Sequence, residues 1–287
     1  MRRFDYFEPS NLTEAVAILG QYRDSANVLA GGTDLLVEIK EQIRRPDHIV
    51  NIKKIPGLDR LRFDAADGLS CGSLVTAREV ETSADVACQY RGLRQAVAEL
   101  GSIQVRNRAT IAGNICRASP SADTLPPLIA HAATVTAFGP GGERTFPLEE
   151  FFLGPGKTRL EGNEILTRID IPAVPPHSGS VYIKHGRRKA MELATVGVAC
   201  VLTRDGAICR NIRIVLGAVA PTPIRAGRAE TMLQGAALSE TLIEQAAAAA
   251  MEEARPISNV RGSAAYRREM VQVLTARAVA QAWELAQ

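Results

Sequence analysis

Short apolar segments alternate with helical periodicity over the first fifty residues. Three strands are predicted, at residues 4–7, 27–30 and 48–52. The first intervening helix carries Leu12, Ala15, Val16 and Leu19 and ends at Gly20; the second is capped by Thr33 or Asp34, carries Leu35, Leu36 and Ile39 and ends before Pro46. Strands alternating with helices at this spacing predict a small parallel βαβ unit.

Hairpin and helix patterns follow from residue 55 onward. Strands are predicted at residues 61–63, 69–73, 134–138 and 164–171, with turns at residues 64–68 and 139–142. A capping box at Thr76–Glu79 begins one helix. The apolar stripe of another helix consists of Leu93, Ala96, Val97 and Leu100, and Gly101 ends it.

Residues 172–176 are rich in proline and predict a linker. Beyond it, apolar stretches at residues 180–184, 195–203 and 208–219 predict an antiparallel sheet, followed by helices over residues 246–250 and 266–283. We therefore expect an α+β protein with three units, at residues 1–54, 55–175 and 176–287.

Two glycine-containing segments are the main functional signal. The first glycine segment is Ala30-Gly31-Gly32-Thr33-Asp34, and the second is Thr110-Ile111-Ala112-Gly113-Asn114. Both are predicted to be loops in which backbone N–H groups approach phosphate oxygens, and the helix start after the first favours an anion. A glycine pair alone is as often a tight turn. Together, the segments indicate a clamp around a diphosphate and make a dinucleotide the first ligand to consider.

Polar side chains of the second glycine segment and its continuation suit such a ligand. Thr110 offers a hydroxyl, Asn114 both a donor and an acceptor, and Asp123 can accept hydrogen bonds from ribityl or ribose hydroxyls. For Asp123, a helix-capping turn is the alternative. The Gly-x-Gly-x-x-Gly pattern is absent, so a standard Rossmann nicotinamide site is not indicated.

The composition indicates which kind of protein this chain is. With 46% hydrophobic and 23% charged residues the chain is typical of a globular protein, and a net charge of +3 with 5% aromatic residues does not indicate nucleic-acid binding. No signal peptide and no membrane-spanning segment are expected.

The five cysteines and four histidines show no metal-binding spacing. We expect no disulfide, no metal site and no iron–sulfur cluster on this chain, and we expect buried free thiols, with Cys116 packed as a small hydrophobic residue, in the cytoplasm. Lys184 precedes a basic cluster, Arg187, Arg188 and Lys189, which is usually a solvated face but can meet phosphate or an acidic partner surface.

Together the two glycine segments, with the continuation Ala118–Asp123, resemble the FAD-binding medium subunit of the molybdenum hydroxylases, the family of xanthine dehydrogenase and aerobic carbon-monoxide dehydrogenase. The resemblance covers essentially the whole chain, including the opening Phe-x-Tyr-Phe-x-Pro and the strand from Glu164 to Ile171 followed by Pro172. It implies the FAD-binding fold of the vanillyl-alcohol oxidase type, with two subdomains and a C-terminal domain of antiparallel sheet and helices.

The resemblance also implies the cofactor site. Residues around the diphosphate would be Leu29, Ala30, Gly31, Gly32, Thr33, Asp34, Leu35, Thr110, Ile111, Ala112, Gly113 and Asn114. Asp123 would hold the ribityl chain or the nearby flavin edge, Leu100 and Leu166 would pack by the cofactor, and Lys184 matches a basic cofactor-site position. Ala112 stands where relatives often have glycine, which is tolerable unless its φ is positive.

As such a subunit, the chain would take electrons from a small iron–sulfur partner, and a large partner would carry the molybdenum cofactor. FAD on this chain would pass the electrons to NAD, a quinone or another external acceptor. No catalytic acid or base is assigned. The alternatives are a self-sufficient FAD-dependent reductase on the same fold and a flavin-free scaffold subunit.

Overall fold

A computed structural model describes residues 3–188 and 190–287. Met1 and Arg2 of the N-terminal segment, and Lys189 of the basic cluster, lie outside this description. The first unit contains a three-stranded parallel sheet in the order β1–β3–β2, with β1 (Asp5–Phe7), β2 (Ala26–Leu29) and β3 (His48–Asn51). The crossover helices are α1 (Leu12–Tyr22) and α2 (Leu35–Lys40). The predicted parallel βαβ unit is therefore present.

Helix α1 shows how the local sequence specifies the first crossover. The side chain of Asn11 caps it by accepting a hydrogen bond from the backbone N–H of Glu14 at 2.9 Å. Its buried face carries Ala15, Val16 and Leu19. The predicted end at Gly20 is wrong, because the helix continues to Tyr22. Gly20 has open space around it and does not adopt a positive φ, so nothing ends the helix there.

The second unit contains an antiparallel five-stranded sheet in the order β4–β5–β10–β6–β7. Its strands are β4 (Leu61–Asp64), β5 (Gly68–Gly72), β6 (Thr134–Gly139), β7 (Gly142–Pro147) and β10 (Ile165–Ile171); a separate small hairpin consists of β8 (Phe152–Gly154) and β9 (Lys157–Thr158). The strands β7, β8 and β9 were not predicted. Strand β7 is mostly exposed, with only Gly142 and Phe146 half-buried, so it lacks the alternating apolar pattern of a strand, which explains the omission.

The second unit also contains six short helices: α3 (Ala77–Thr82), α4 (Ala84–Gln89), α5 (Arg91–Ala98), α6 (Ile103–Arg106), α7 (Ile111–Arg117) and α8 (Leu125–Ala130). The capping box at Thr76 and Glu79 is formed as predicted. Leu100, predicted within a helix, lies just beyond the end of α5. The second glycine segment, predicted to be a loop, is instead the start of α7.

The C-terminal unit packs helices on an antiparallel sheet in the order β11–β12–β13–β14. The elements are β11 (Ser178–His185), β12 (Val196–Asp205), β13 (Ile208–Gly217), β14 (Ile224–Arg225), α9 (Gly227–Leu233), α10 (Glu240–Glu253) and α11 (Ala264–Leu285). The third predicted strand ends at Gly217 rather than at residue 219, and β14 was not predicted.

Both faces of this C-terminal sheet are buried. Because strand side chains alternate, Tyr182 and Ala199 join the core of the second unit, whereas Val181 and Cys200, one position away, pack with α10 and α11. The sheet is thus the shared wall between two hydrophobic cores. Within residues 3–188 and 190–287, no helix is long and apolar enough to cross a membrane.

A buried polar contact joins the C-terminal sheet to the second unit. The hydroxyl of Ser180 on β11 accepts the backbone N–H of Gly92 at 2.9 Å and lies 2.9 Å from Nε2 of His131. The ring of His131 packs edge-on against Tyr90. Burial, together with the charge of Arg213, lowers the pKa of His131 from 6.5 to about 4. The imidazole is therefore neutral in the folded protein at physiological pH.

We expect the His131→Gln variant to remove an acid-sensitive contribution to stability. Between pH 6.5 and 4 the unfolded chain binds a proton at His131 and the folded chain does not, so wild-type stability falls as the pH decreases through this range. The difference reaches about 3 kcal/mol for a shift of this size. Denaturant unfolding of both proteins at several pH values measures it.

The comparison must be made between the two proteins, because Asp123 acts in the opposite direction. Burial raises the pKa of Asp123 from 3.8 to about 6, so its contribution to stability falls as the pH rises through that range. If the wild-type and variant proteins show parallel stability curves from pH 4 to 6.5, the folded protein does not exclude the proton from His131.

Candidate functional site

A cleft of about 380 Å³ lies between the first and second units. It is bounded by the turn between β2 and α2, the N-terminal part of α7 and the β8–β9 hairpin. Its lining residues are Val28, Ala30, Gly31, Gly32, Thr33, Asp34, Leu35, Glu38, Arg44, Leu100, Val105, Ala109, Thr110, Gly113, Asn114, Cys116, Arg117 and Gly156. The two glycine segments, about eighty positions apart in sequence, therefore line one space.

Gly31 makes this arrangement possible. A Cβ atom at Gly31 would overlap the carbonyl oxygen of Arg108 and press on the Cα of Ala109, just before the second glycine segment. Gly32 follows with a φ of +78°, in the left-handed region that favours glycine. The first position thus permits backbone-to-backbone contact, and the second turns the chain into α2.

At the start of α7, Thr110 is the N-cap, and its hydroxyl oxygen accepts the N–H of Gly113 at 2.9 Å. Gly113 leaves room for this contact, because a Cβ there would crowd the hydroxyl. Ala112 has no positive φ and is buried, so alanine is compatible with this position. The carbonyl oxygen of Asn114 accepts the Thr124 hydroxyl at 2.6 Å. Among the described residues, the side-chain N–H groups of Asn114 have no hydrogen-bond partner, whereas its backbone N–H donates to the carbonyl of Thr110 at 3.1 Å.

The first glycine segment leads into α2 without a side-chain cap. Asp34 occupies the N-cap position, but its side chain makes no capping hydrogen bond, and the predicted cap by Thr33 or Asp34 is wrong in this respect. The helix instead begins with the N–H of Leu36 donating to the carbonyl of Gly32 at 3.0 Å. The Asp34 carboxylate lies 3.9 Å from Nε of Arg117 across the cleft.

Of the sixteen predicted site residues, ten line the cleft: Ala30, Gly31, Gly32, Thr33, Asp34, Leu35, Leu100, Thr110, Gly113 and Asn114. Four others, Leu29, Ile111, Ala112 and Leu166, are buried in the hydrophobic cores. The last two, Asp123 and Lys184, form a separate buried ion pair.

Within the chain, the Lys184 ammonium uses all three of its N–H donors and each oxygen of Asp123 accepts one hydrogen bond. Nζ of Lys184 lies 2.9 Å from Oδ2 of Asp123 and also donates to the carbonyls of Glu99 at 3.2 Å and Glu192 at 2.7 Å. Tyr182 donates to Oδ1 of Asp123 at 2.8 Å. Burial raises the pKa of Asp123 to about 6 against the opposing effect of Lys184, and burial beside Asp123 raises that of Tyr182. Asp123 is thus not the helix cap considered above, since Thr124 occupies that position for α8.

Several cleft residues were missed by sequence reasoning. The Glu38 carboxylate forms ion pairs with Arg44, 3.0 Å from its Nε, and with Arg117, 2.8 Å from its Nη2, so one carboxylate lies beside two guanidinium groups at the cleft. Glu38 lies four residues after Asp34, on the same helical face, which is a signal that was available. Arg117 lies on α7, three residues after Asn114. Because a loop is predicted for this segment, the sequence does not indicate that Arg117 lies beside Asn114.

Cys116 also lines the cleft and is exposed as a residue, so its expected packing as a fully buried hydrophobic residue is wrong, although desolvation of its thiol raises the pKa of Cys116 to about 12. Cys88 is exposed as well, whereas Cys71, Cys200 and Cys209 are buried free thiols. In the described part of the chain, no three histidine, cysteine or carboxylate side chains converge to form a metal site.

Family models match both parts of the chain. The FAD binding domain in molybdopterin dehydrogenase matches residues 2–174, and the CO dehydrogenase flavoprotein C-terminal domain matches residues 181–282. The chain belongs to the family of FAD-binding medium subunits of molybdenum hydroxylases. The resemblance noted from the glycine segments is thereby confirmed, as is the α+β fold with an FAD-binding part followed by a C-terminal domain.

Relatives in this family are similar over nearly their full length. The carbon monoxide dehydrogenase medium chain of Hydrogenophaga pseudoflava is 36% identical, over 98% of this chain and 97% of its own. The nicotinate dehydrogenase FAD-subunit of Eubacterium barkeri is 31% identical, over 95% and 93%. The cofactor of this oxidoreductase subunit is FAD, as predicted.

Solved structures of the medium-subunit family have the same fold. A chain of carbon monoxide dehydrogenase from Hydrogenophaga pseudoflava superimposes with a TM-score of 0.95 at 36% identity, covering 99% of this chain and 98% of the other. A chain of quinoline 2-oxidoreductase from Pseudomonas putida 86 gives a TM-score of 0.91 at 30% identity, covering 99% and 98%.

We expect Gly31→Ala to disrupt the cleft. The added methyl group would meet the Arg108 carbonyl, forcing the two glycine segments apart at a cost of about 1–3 kcal/mol. Denaturant unfolding measures this cost, and the Kd for FAD shows whether the cleft still binds the cofactor. Gly20→Ala is the matched control, because nothing lies near that position in α1 and a gain of about 0.5–1 kcal/mol is expected. Equal stability of the two variants would contradict the close-contact role of Gly31.

Proposed function

We propose that the chain is the FAD-carrying electron-transfer subunit of a molybdenum-containing hydroxylase or dehydrogenase complex. It takes electrons from a small iron–sulfur subunit, while a large subunit carries the molybdenum cofactor, and passes them to an external acceptor such as NAD or a quinone. Family membership supports the assignment to such complexes. The observation that carries it for this chain is that Gly31 packs against Arg108–Ala109, so that both glycine segments face one cleft.

The cleft fits the diphosphate and adenosine half of FAD. Backbone at Gly31, Gly32 and Gly113 is unobstructed by side chains and can approach phosphate oxygens closely. Arg44 and Arg117 each place one guanidinium nitrogen beside Glu38, and each has further N–H donors for an anion. We assign the diphosphate to these groups, together with the predicted Thr33, Asp34, Thr110 and Asn114.

The flavin end of the cofactor is assigned to the side of the cleft at Leu100. Leu100 follows Glu99, whose carbonyl accepts a hydrogen bond from Lys184. One oxygen of Asp123 accepts a hydrogen bond from Tyr182 and the other from Lys184. Each oxygen has a further lone pair that can accept a ribityl hydroxyl. FAD supplies the redox chemistry, and the chain binds and orients it. Leu166 contributes core packing behind this side.

Three units, at residues 1–54, 55–175 and 176–287, are part of the proposal, with FAD between the first two. The separate sheets β1–β3, β4–β7 with β10, and β11–β14 support this division. A cytoplasmic location is proposed from the cysteines, which are all free thiols.

We expect Arg117→Gln to weaken FAD binding about 10-fold, because one charge-assisted hydrogen bond to a phosphate is lost. Fluorescence titration of the apoprotein gives Kd for FAD and, separately, for FMN, which lacks the adenosine diphosphate half. Arg210→Gln, an exposed arginine on the hairpin between β12 and β13, is the charge control. If the Arg117→Gln variant binds FAD as tightly as wild type, Arg117 does not contact the cofactor.

Cys116 provides a direct test of where FAD binds. Cys116 is exposed and lines the cleft, while desolvation raises the pKa of its thiol to about 12 and makes its basal alkylation slow. Stoichiometric FAD should slow alkylation by N-ethylmaleimide by a further factor of about 10 or more. Cys88, exposed and outside the cleft, is the internal control and should react at the same rate with and without FAD. Peptide mass spectrometry resolves the two sites. Purified wild-type complex without bound flavin would defeat the proposed function, and bound flavin without protection of Cys116 would move the site elsewhere.

A further inference from the structure

Helix α11 carries a buried arginine that is not among the lining residues of the cleft. Arg267 lies in the first turn of this helix and is only 3% exposed. Its hydrogen-bond partners among the described residues are two backbone carbonyls and one side-chain amide, with no carboxylate. Because burying a guanidinium without an opposite charge costs free energy, its position indicates that these contacts matter.

One nitrogen of Arg267 joins the ends of two neighbouring strands. Nη1 donates to the carbonyl of Thr195, just before β12, and to the carbonyl of Ala218, just after β13, both at 2.9 Å. Nη2 donates to Oδ1 of Asn259, in the loop before α11, at 2.7 Å. Arg267 therefore fixes the start of β12 relative to the turn that follows β13.

The contact at Thr195 leads to Lys184. The N–H of Thr195 donates to the carbonyl of His185 at 2.8 Å, and His185 directly follows Lys184 on β11. The loop that ends at Thr195 also contains Glu192, whose carbonyl accepts a hydrogen bond from Nζ of Lys184 at 2.7 Å. Thr195 is thus connected to Lys184 through the neighbouring residue on the strand and through the loop that receives its ammonium group.

The contact at Ala218 leads to Asp123. Ala218 has a φ of +65°, in the left-handed region that is uncommon for alanine, and its N–H donates to the carbonyl of Pro120 at 2.8 Å. Pro120 lies in a turn closed by the N–H of Ala122 donating to the carbonyl of Ser119 at 3.1 Å. Asp123 follows this turn directly. The same guanidinium therefore holds the segment of Asp123 as well as that of Lys184.

Asp123 and Lys184 are the ion pair that the proposed function assigns to the flavin end of the cofactor. We propose that Arg267 is a positioning residue for this end of the site: it holds the two segments that carry the ion pair at the separation at which the pair forms. It acts through Thr195 and Ala218 and does not touch the cofactor. The inference rests on the proposed function and adds to it a residue outside the cleft.

The test uses the complex of the chain with its partner subunits, from which FAD has been removed. Arg267→Met removes all three contacts, whereas Arg267→Lys keeps a nitrogen that can donate to both carbonyls. Arg268→Met is the matched control, because Arg268 is exposed on the same helix and donates to the carbonyl of Ala254 at 3.4 Å. Titration gives the affinity for FAD and for ADP, which lacks the ribityl chain and the flavin ring, at a temperature where every protein is folded.

We expect Arg267→Met to bind FAD about 10-fold or more weakly, because the carboxylate and the ammonium at the flavin end no longer keep their positions. Its affinity for ADP should be unchanged, since the glycine segments and the arginines beside Glu38 are intact. The FAD affinity of Arg267→Lys should lie between those of Arg267→Met and wild type. Arg268→Met should bind both ligands as wild type does.

A second measurement needs no variant. Coupling between two sites is reciprocal, so FAD bound at the flavin end should stabilise the segments that Arg267 holds. Hydrogen–deuterium exchange of the wild-type complex should therefore slow at the backbone N–H groups of Thr195 and Ala218 when FAD is added. ADP should leave the exchange at both positions unchanged.

Wild-type affinity for FAD in Arg267→Met would overturn the proposal, and so would an equal loss of affinity for FAD and ADP, which indicates a general structural role. If Arg267→Met does not fold, the exchange measurement decides, and equal exchange with FAD and with ADP refutes the positioning role. Failure of the proposed function has a different signature, because the wild-type complex would then bind no FAD, and the positioning role would fall with it.

Discussion

The approach of Gly31 to the carbonyl of Arg108 is the contact on which the cleft depends. It brings the turn after β2 against the segment that leads into α7, so two units with separate sheets share one wall. The contact involves backbone on both sides and excludes every side chain larger than hydrogen at position 31. The remaining groups at the cleft, including the Thr110 cap and the arginines held by Glu38, are positioned relative to this contact.

The C-terminal sheet organises the opposite side of the molecule. One face completes the core of the second unit, and the other packs against α10 and α11. From this sheet, Tyr182 and Lys184 reach Asp123 in the FAD-binding part, and Ser180 reaches His131. Burial disfavours the charged form of both Asp123 and His131. Because the charged form is the deprotonated one for a carboxyl group and the protonated one for an imidazole, burial raises the pKa of Asp123 and lowers the pKa of His131. The joint between the units is therefore polar at its centre although apolar cores surround it.

Sequence reasoning recovered the periodic elements well and the irregular ones poorly. The parallel unit, the capping box and the C-terminal sheet follow from hydrophobic spacing, which a single sequence displays directly. The loop predicted for the second glycine segment is wrong. Glycine occurs most often in loops, but here the segment forms the start of α7, which Thr110 caps. Arg44, Arg117 and Gly156 reach the cleft through contacts between distant segments, which local patterns do not encode. The resemblance to the family supplied what the patterns lacked, since it linked the two glycine segments to one cofactor.

Lys184 illustrates how geometry restricts amino-acid choice. Its ammonium group serves a carboxylate and two carbonyls from three different segments, and an ammonium has three N–H bonds spread in a tetrahedral arrangement. A planar guanidinium directs its donors in one plane and cannot reproduce that spread from the same backbone position. Exchange for arginine, usually considered mild, should therefore be disfavoured at this position during evolution, and lineages that lose the lysine should also show changes at the position of Asp123.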